Sequence, residues 1–492
     1  FFQAEDGIRD HCVTGVQTCA LPIFATSGLY TGNQAYKNQQ VFQDRVRLTL
    51  NTSFSGEDRL VTRLEAGNGE LFNVGNNTDF AYGRIIDSDG LSNLRKLGFN
   101  VPTNINRVLF GAYGTTNLGV GKNPLTGQTW QNSQMNNNNV GVDWLAYFTP
   151  IKFSEDFKLN TYVAAWGGQW YDIAPTLNPY FEDYDGGNGS LSNFAQRSPI
   201  YFIGGGTGGG LSLQLGFLQS LLGPTSLSLG YLAGSTAGNP NQGFGLFNGN
   251  YTALAQLNFN LFNFANVGFT YSNSYLRPES PIFGQGSLTG AGLVGTSLAN
   301  LSRDNLAGVT DKAQTAYFAR AQGFNSSGDQ VYQQTNSGVL QSGQTFPNFP
   351  SKTVNSYGIE ATLNPTSWLT LSAYGNYSNV TLHGYGNGDI WSYGGGVAFP
   401  DLGKPGNVLG IFAAVQPYIG GINLYATDPL TGTQLYVPVS TQNPVSVEVF
   451  YKYQVTDNIS LTPGIIWISN PSQTNISNND AVIGTIRGTF TF

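Results

Sequence analysis

RVRLTLNTSFSGEDRLVTRLEAG, residues 45–67, decides the fold. In its first half Val46, Leu48, Leu50, Thr52 and Phe54 share one face, while Arg45, Arg47, Thr49 and Asn51 share the other. In its second half Leu60, Thr62, Leu64 and Ala66 alternate with Arg59, Val61, Arg63 and Glu65. Side chains of a strand point alternately to the two sides of a sheet, so a period of two marks strands with one apolar and one polar face. Ser55 to Asp58 reads as the short turn between them. The pattern returns in Tyr251, Ala253, Ala255, Leu257 and Phe259, and again in Tyr357, Ile359, Ala361 and Leu363. Val445, Val447, Val449 and Tyr451 likewise alternate with Ser446, Glu448 and Lys452. Helical spacing fits none of these segments, and the protein is all-β.

Further strands are predicted near 140–149, 157–167, 210–216, 226–233, 265–275, 369–377, 389–399, 408–416, 459–468 and 481–492. That makes about fifteen, each near the ~10 residues that a tilted membrane span needs. No run of ~18 apolar residues offers a transmembrane helix. Charged residues make up 10% of the chain and aromatics 13%. Ordinary soluble domains carry roughly 25% charge, and low charge with many aromatics fits a barrel whose strands face lipid and water in turn. Short turns at Ser55 to Asp58, Ile151 to Asp156, Asn364 to Trp368 and Gln454 to Asn458 alternate with long connections after Gly67, Gly168, Ala233, Tyr275, Gln416 and Ser469. Bacterial barrels keep short turns on the periplasmic side and long loops outside. The first of these strands therefore runs downward, and an even count with both ends periplasmic calls for one more strand upstream. The intact barrel is expected to hold about 16 strands, or about 18 if Asn106 to Tyr113 or Leu276 to Thr353 hides a hairpin.

The first residues read differently. QAEDGIRD (3–10) and VTGVQTCALPI (13–23) resemble the two translated halves of a sequencing-library index primer, with His11 and Cys12 between them. Glu5, Asp6 and Asp10 interrupt the segment and no apolar h-region appears, which excludes a secretory signal. Residues 1–23 are thus expected to be foreign, and 24–492 to be a barrel lacking its first strand. Both cysteines, Cys12 and Cys19, fall in the foreign part, leaving 21 basic and 26 acidic residues and His383 alone of the histidines. This balance lacks the basic stripe of a nucleic-acid binder. Absence of cysteine suits an oxidising envelope.

At the other end Val482, Gly484, Ile486, Gly488, Phe490 and Phe492 alternate with Thr485, Arg487, Thr489 and Thr491. A closing strand ending on an aromatic resembles the assembly signal of outer-membrane proteins. DRVRLTLNTSFSGEDRLVTRLEAGN (44–68), FGLFNGNYTALAQLNF (244–259), DIWSYGGGVAFPDLGKPGNVLGI (389–411), YKYQVTDNISLTPGIIWISNP (451–471) and NDAVIGTIRGTFTF (479–492) resemble the cyanobacterial outer-membrane porins of the OprB-like carbohydrate-selective group. Many of those are described as iron-uptake porins. The resemblance implies passive passage of ions and small solutes, sugars or iron among them, and contact with outer-membrane lipid. It also implies a signal peptide and a peptidoglycan-gripping domain upstream of the barrel. Trimers are common among porins, and a homotrimer is expected by that analogy.

A porin needs a constriction whose charges select solutes. The alternation turns Arg45, Arg47, Arg59, Arg63 and Arg487 toward the lumen, since Arg facing lipid at the midplane costs about 2–4 kcal/mol. The loop after Gly168 carries Asp172, Glu182, Asp183 and Asp185. Folded inward, it is expected to set these acids against the basic wall; simple solvation is the alternative. Trp144, Trp368, Trp391 and Trp467 suit interfacial belts, or else an aromatic sugar track inside the pore.

Catalytic and cofactor signals are weak. Gly204, Gly206 and Gly209 have GxGxxG spacing, but Leu211 to Leu215 reads as a strand where dinucleotide binding needs a helix. His383 sits in a Gly-rich stretch and reads as an exposed loop residue. No cofactor or metal is expected, because one His and no Cys make a poor transition-metal set. A barrel hydrolase would have to rely on His383 as its base. An adhesin built as a β-helix needs a fixed repeat that these unequal connections lack. A siderophore transporter needs about 22 strands and a plug.

Overall fold

The structure is a computed structural model that describes residues 20–27, 40–72, 84–86, 108–110, 124–132, 138–154, 157–184, 186–218, 223–261, 264–288, 292–296, 299–302, 351–384, 386–424, 426–427, 434–435, 443–471, 473 and 480–491. Numbered in chain order, the barrel strands begin with β1 (Ala20–Ser27), β2 (Gln40–Thr52), β3 (Arg59–Gly67) and β4 (Gly141–Ser154). They continue with β5 (Phe157–Gly168), β6 (Gly206–Leu215), β7 (Thr225–Ala233) and β8 (Tyr251–Leu261). The next four are β9 (Ala265–Leu276), β10 (Lys352–Thr366), β11 (Leu369–Leu382) and β12 (Gly386–Pro400). The last are β13 (Val408–Leu424), β14 (Val445–Thr456), β15 (Ile459–Ile468) and β16 (Ala481–Phe490).

Each strand pairs antiparallel with its neighbours in the chain, so β2 to β16 form one continuous sheet of fifteen strands. β1 lies against both edges, pairing with β2 and with β16, and completes a closed ring. Its register breaks on both sides, between Ala20 and Ile23 against β2 and between Leu21 and Thr26 against β16. The sixteenth position, expected to be lost upstream, is thus taken by a strand that straddles the expected start of the native sequence at Phe24. Neither hidden hairpin joins the ring. Val108–Phe110 pairs with Arg84–Ile86 in a separate ribbon, and β9 pairs directly with β10 from Ala265↔Leu363 to Leu276↔Lys352.

The two faces are inverted relative to a soluble sheet. Val46, Val163, Leu229, Phe269, Ile359, Ile411, Val449, Ile465 and Ile486 are exposed, while Thr252, Gln256, Ser272, Ser356, Asn376, Ser392, Ser446 and Thr485 are buried. Lipid is the solvent that makes this arrangement favourable, and closure leaves no backbone edge unpaired within it. Aromatic rows cross the outer face near the loop ends. Tyr231, Tyr251 and Tyr275 stack at ring separations of 5.6 and 5.8 Å. Below them Tyr271, Tyr357, Tyr377 and Trp391 form a second row. Near the short turns Trp368 stacks on Phe399 at 6.5 Å. Trp368, Trp391 and Trp467 are exposed, as an interfacial belt requires.

Trp144 departs from that belt. β4 slips register twice around it, against β3 between Arg63 and Leu64 and against β5 between Leu145 and Ala146. Such bulges re-aim side chains. Here Trp144 Nε1 donates to the Tyr162 hydroxyl at 3.3 Å, and the Arg63 guanidinium lies 5.2 Å from its ring centre. His383 is exposed, as expected, between Ser351 and Thr353 and stacked on Tyr275. At the Gly204 segment the chain leaves a loop for β6, without a helix.

Candidate pore constriction

The segment 169–205, between β5 and β6, folds into the barrel and is held by the wall. At its start Asp172 accepts hydrogen bonds from the Gln169 amide at 2.9 Å and from the Tyr162 hydroxyl of β5 at 2.7 Å. Further along, the Leu177 amide donates to Glu360 of β10 at 3.2 Å, and the Tyr201 hydroxyl donates to the same carboxylate at 3.1 Å. The Leu191 and Ser192 amides donate to Glu448 of β14 at 2.7 and 2.8 Å. From β16, Arg487 donates to the Gly189 and Ser190 carbonyls at 2.5 and 2.9 Å. A buried backbone amide must find an acceptor, and a carboxylate is the strongest the wall can offer.

Inward-facing glycines of the wall receive the segment's apolar side chains. A Cβ on Gly396 or Gly410 would strike Phe181 and its neighbours Phe412 and Phe450, and one on Gly464 would strike Leu191. Gly210 and Gly230 leave the same kind of room for Ile173 and Trp170. Phe181 lies 5.0 Å from Phe412 and 5.9 Å from Phe450, both edge-on. A second segment, 124–132, bridges loop and wall. The Thr129 amide donates to Leu191 O at 3.0 Å, and the Thr129 carbonyl accepts from Arg45 of β2 at 2.8 Å. Gln416 of β13 donates to Leu125 O at 3.0 Å. From residues 280–288, 292–296 and 299–302, Ile282, Phe283, Val294 and Leu301 join a cluster with Trp170 and Ile200 to Ile203. The inner loops therefore build a small core inside the barrel.

The charges predicted for a constriction are thus placed in three ways. Arg45 and Arg487 face inward and bind loop carbonyls. Arg47 pairs with Glu65 at 2.5 Å and with Asp143 at 3.4 Å, and Arg63 pairs with Asp143 at 2.7 Å. Arg59 lies 4.5 Å over the Phe148 ring, within electrostatic reach of Asp172. Of the loop acids, Asp172 lies within electrostatic reach of Arg59 and Asp183 within reach of Arg487, while Glu182 turns to its own segment. Glu182 pairs with Arg197 at 2.6 Å, and Arg197 stacks 3.8 Å from the Tyr171 ring centre. Burial pushes the Glu182 carboxyl up to about 7, against the downward pull of Arg197. Asp183 accepts from Gln196, and Asp185 lies outside the described residues.

Sequence reasoning missed Glu65, Asp143, Arg197, Glu360, Glu448 and the glycine sockets. Glu360 and Glu448 are each the one carboxylate on the inward face of their strand, a signal that could have marked them as anchors. Glycine at inward register positions of otherwise alternating strands carries a similar signal, since it marks close approach by another segment.

A closed antiparallel barrel, apolar outside and polar inside, with a loop held across its lumen, defines an outer-membrane porin. The OprB family of carbohydrate-selective porins matches residues 22–492, and the chain belongs to that family. It is 37% identical over 474 residues to an uncharacterized protein of Nostoc sp. strain PCC 7120, covering 96% of this chain and 64% of that one. It is 29% identical over 465 residues to an uncharacterized protein of Synechocystis sp. strain PCC 6803, covering 94% of this chain and 65% of that one. The chain thus spans less than two thirds of the length of these curated relatives. Among solved structures it resembles Pseudomonas putida OprB at high pH, with a TM-score of 0.45, 10% identity, and 97% and 94% of the two chains covered. No helix among the described residues is long and apolar enough to cross a membrane.

Proposed function

We propose that the chain forms a passive diffusion channel for small hydrophilic solutes, sugars and inorganic ions among them, through the outer membrane. The observation that carries this is the inward loop, fixed to β5, β10, β14 and β16, which narrows a barrel whose inner face is polar. Neutral hydroxyl and amide side chains dominate that face, and they can exchange hydrogen bonds with a hydrated or polyhydroxylated solute as it passes. Such a lumen suits iron as a diffusing solute rather than as a bound ligand. Of the inward arginines, Arg59 is exposed to the interior, while Arg47 and Arg63 lie in the ion-paired cluster with Glu65 and Asp143. We assign the charge preference of the passage to this sector. A homotrimer, and a hold on peptidoglycan through a region upstream of the barrel, complete the proposal.

Planar-bilayer conductance in KCl gradients tests it, followed by added sugars. Stable ohmic steps are expected, with partial blockade by sugar. Neutralising Arg47, Arg59 and Arg63 together is expected to move the reversal potential toward cations. A folded, heat-modifiable preparation without steps would sink the channel.

A further inference from the structure

Beneath the inner loop, at the end of the barrel where the short turns lie, opens a cavity of about 510 Å³ lined by Asn188, Lys452, Gln454, Asp457, Ser460 and Thr491, among others. Its roof is the tip of the inner loop. The Ser460 hydroxyl donates to the Asn188 side chain at 3.3 Å, and the Thr489 hydroxyl donates to Gly187 O at 2.6 Å. Most other polar groups of the lining are engaged as well. The Gln454 amide donates to the Thr456 carbonyl at 2.6 Å, and the Asn458 amide to the Thr491 carbonyl at 2.7 Å. Lys452 differs: it is half-buried, and among the described residues no hydrogen bond or ion pair engages its ammonium. Above it Arg487 holds a second fixed positive charge; of the acids acting on it, Asp183 accepts from Gln196 and Glu448 is committed to the Leu191 and Ser192 amides. The one carboxylate of the lining, Asp457, is exposed on the turn at the rim, where water screens it.

The same tier is basic across the lumen. Arg59 at the start of β3 and Lys158 near the start of β5 are exposed on the inner face without an ion pair among the described residues. Of the acids near them, Asp172 accepts from the Tyr162 hydroxyl and the Gln169 amide. Glu57 pairs with Lys152 at 2.9 Å. Asp58 is held well below the usual carboxylate range by the Ser55 hydroxyl first and by Tyr147 next. A cleft lined by one sign of charge within low-dielectric walls concentrates ions of the other sign.

We propose that this periplasmic vestibule is a weak oxyanion subsite for phosphate or sulfate, with Lys452 as its binding cation and the Thr491 hydroxyl as a second donor. The proposal rests on the channel function above. A channel site must attract its solute and also release it, and one ammonium without a partner among the described residues, set among mostly engaged neutral groups, meets both conditions.

Single channels of the full chain in chloride, titrated with inorganic phosphate on either side, test it. Phosphate is expected to reduce the chloride current at lower concentration from the periplasmic side. Lys452→Gln should raise the half-blocking concentration by about tenfold, equivalent to ~1.4 kcal/mol. Lys452→Arg should retain the block, and Asp457→Asn should strengthen it. Open channels that phosphate leaves unaffected, or blocks equally in wild type and Lys452→Gln, would overturn the subsite and leave the channel intact. Absence of any channel would instead remove the function on which the subsite rests.

Discussion

Two sectors of the barrel wall spend their inward charges differently. Between β2 and β5 the charges serve one another: Arg47, Glu65, Asp143 and Arg63 form a paired cluster around the bulge of β4. Between β10 and β14 single carboxylates stand apart, and Glu360 and Glu448 each accept backbone amides of the inner loop. The first sector keeps its charge on the wall, beside the passage. The second converts charge into attachment, because a loop that crosses a lumen must satisfy its own amides without a neighbouring strand. The inner loop repeats the first solution within itself at Glu182 and Arg197.

The largest effect is expected where a buried charge is left alone. Arg197→Ala strands Glu182 inside the loop and should cost about 3–5 kcal/mol, read by denaturant unfolding in lipid vesicles. A loss under about 1 kcal/mol would mean that the loop's internal pair contributes little to anchoring. Glu448→Ala comes next. It orphans the Leu191 and Ser192 amides, each at about 1–3 kcal/mol, whereas Glu448→Gln keeps an acceptor and should recover much of the loss. If Asp143→Ala destabilised the barrel more than Glu448→Ala, the contrast between the two sectors would be reversed.

The smallest effect is one of pH. The Glu182 carboxyl is raised from 4.5 to about 7 in the folded loop, so the folded state holds its proton more tightly than the unfolded chain does. Its contribution is therefore fully present below about 4.5 and is lost as pH rises through about 7. Wild type should lose stability across that window, and Glu182→Gln should flatten the slope without abolishing conductance. Equal slopes in the two proteins would place the titration elsewhere.

The strands themselves were legible. Residues 45–67 give their pairing and their faces because a period of two is written in consecutive side chains, and lipid enforces it from outside. Strand ends were read less well, since β13 runs on to Leu424 where alternation alone suggested an end near Gln416. Trp144 was misplaced for a related reason: a bulge shifts the period by one, and only pairing with β3 and β5 reveals it. The inward arginines were legible as a set, but not their employment. Arg45 and Arg487 hold loop carbonyls, Arg47 and Arg63 hold acids, and nothing local distinguishes the four.

What the sequence determined by itself was the solvent of each face: alternation, low charge and unequal connections specify an antiparallel barrel in lipid with its polar side inward. What only the tertiary structure decided was which charges remain free inside it. Glu182 meets Arg197 within one loop, Glu448 meets Leu191 across 257 residues, and Lys452 meets no described partner. Face is fixed by neighbours in the chain, whereas pairing depends on where distant segments converge after the barrel closes.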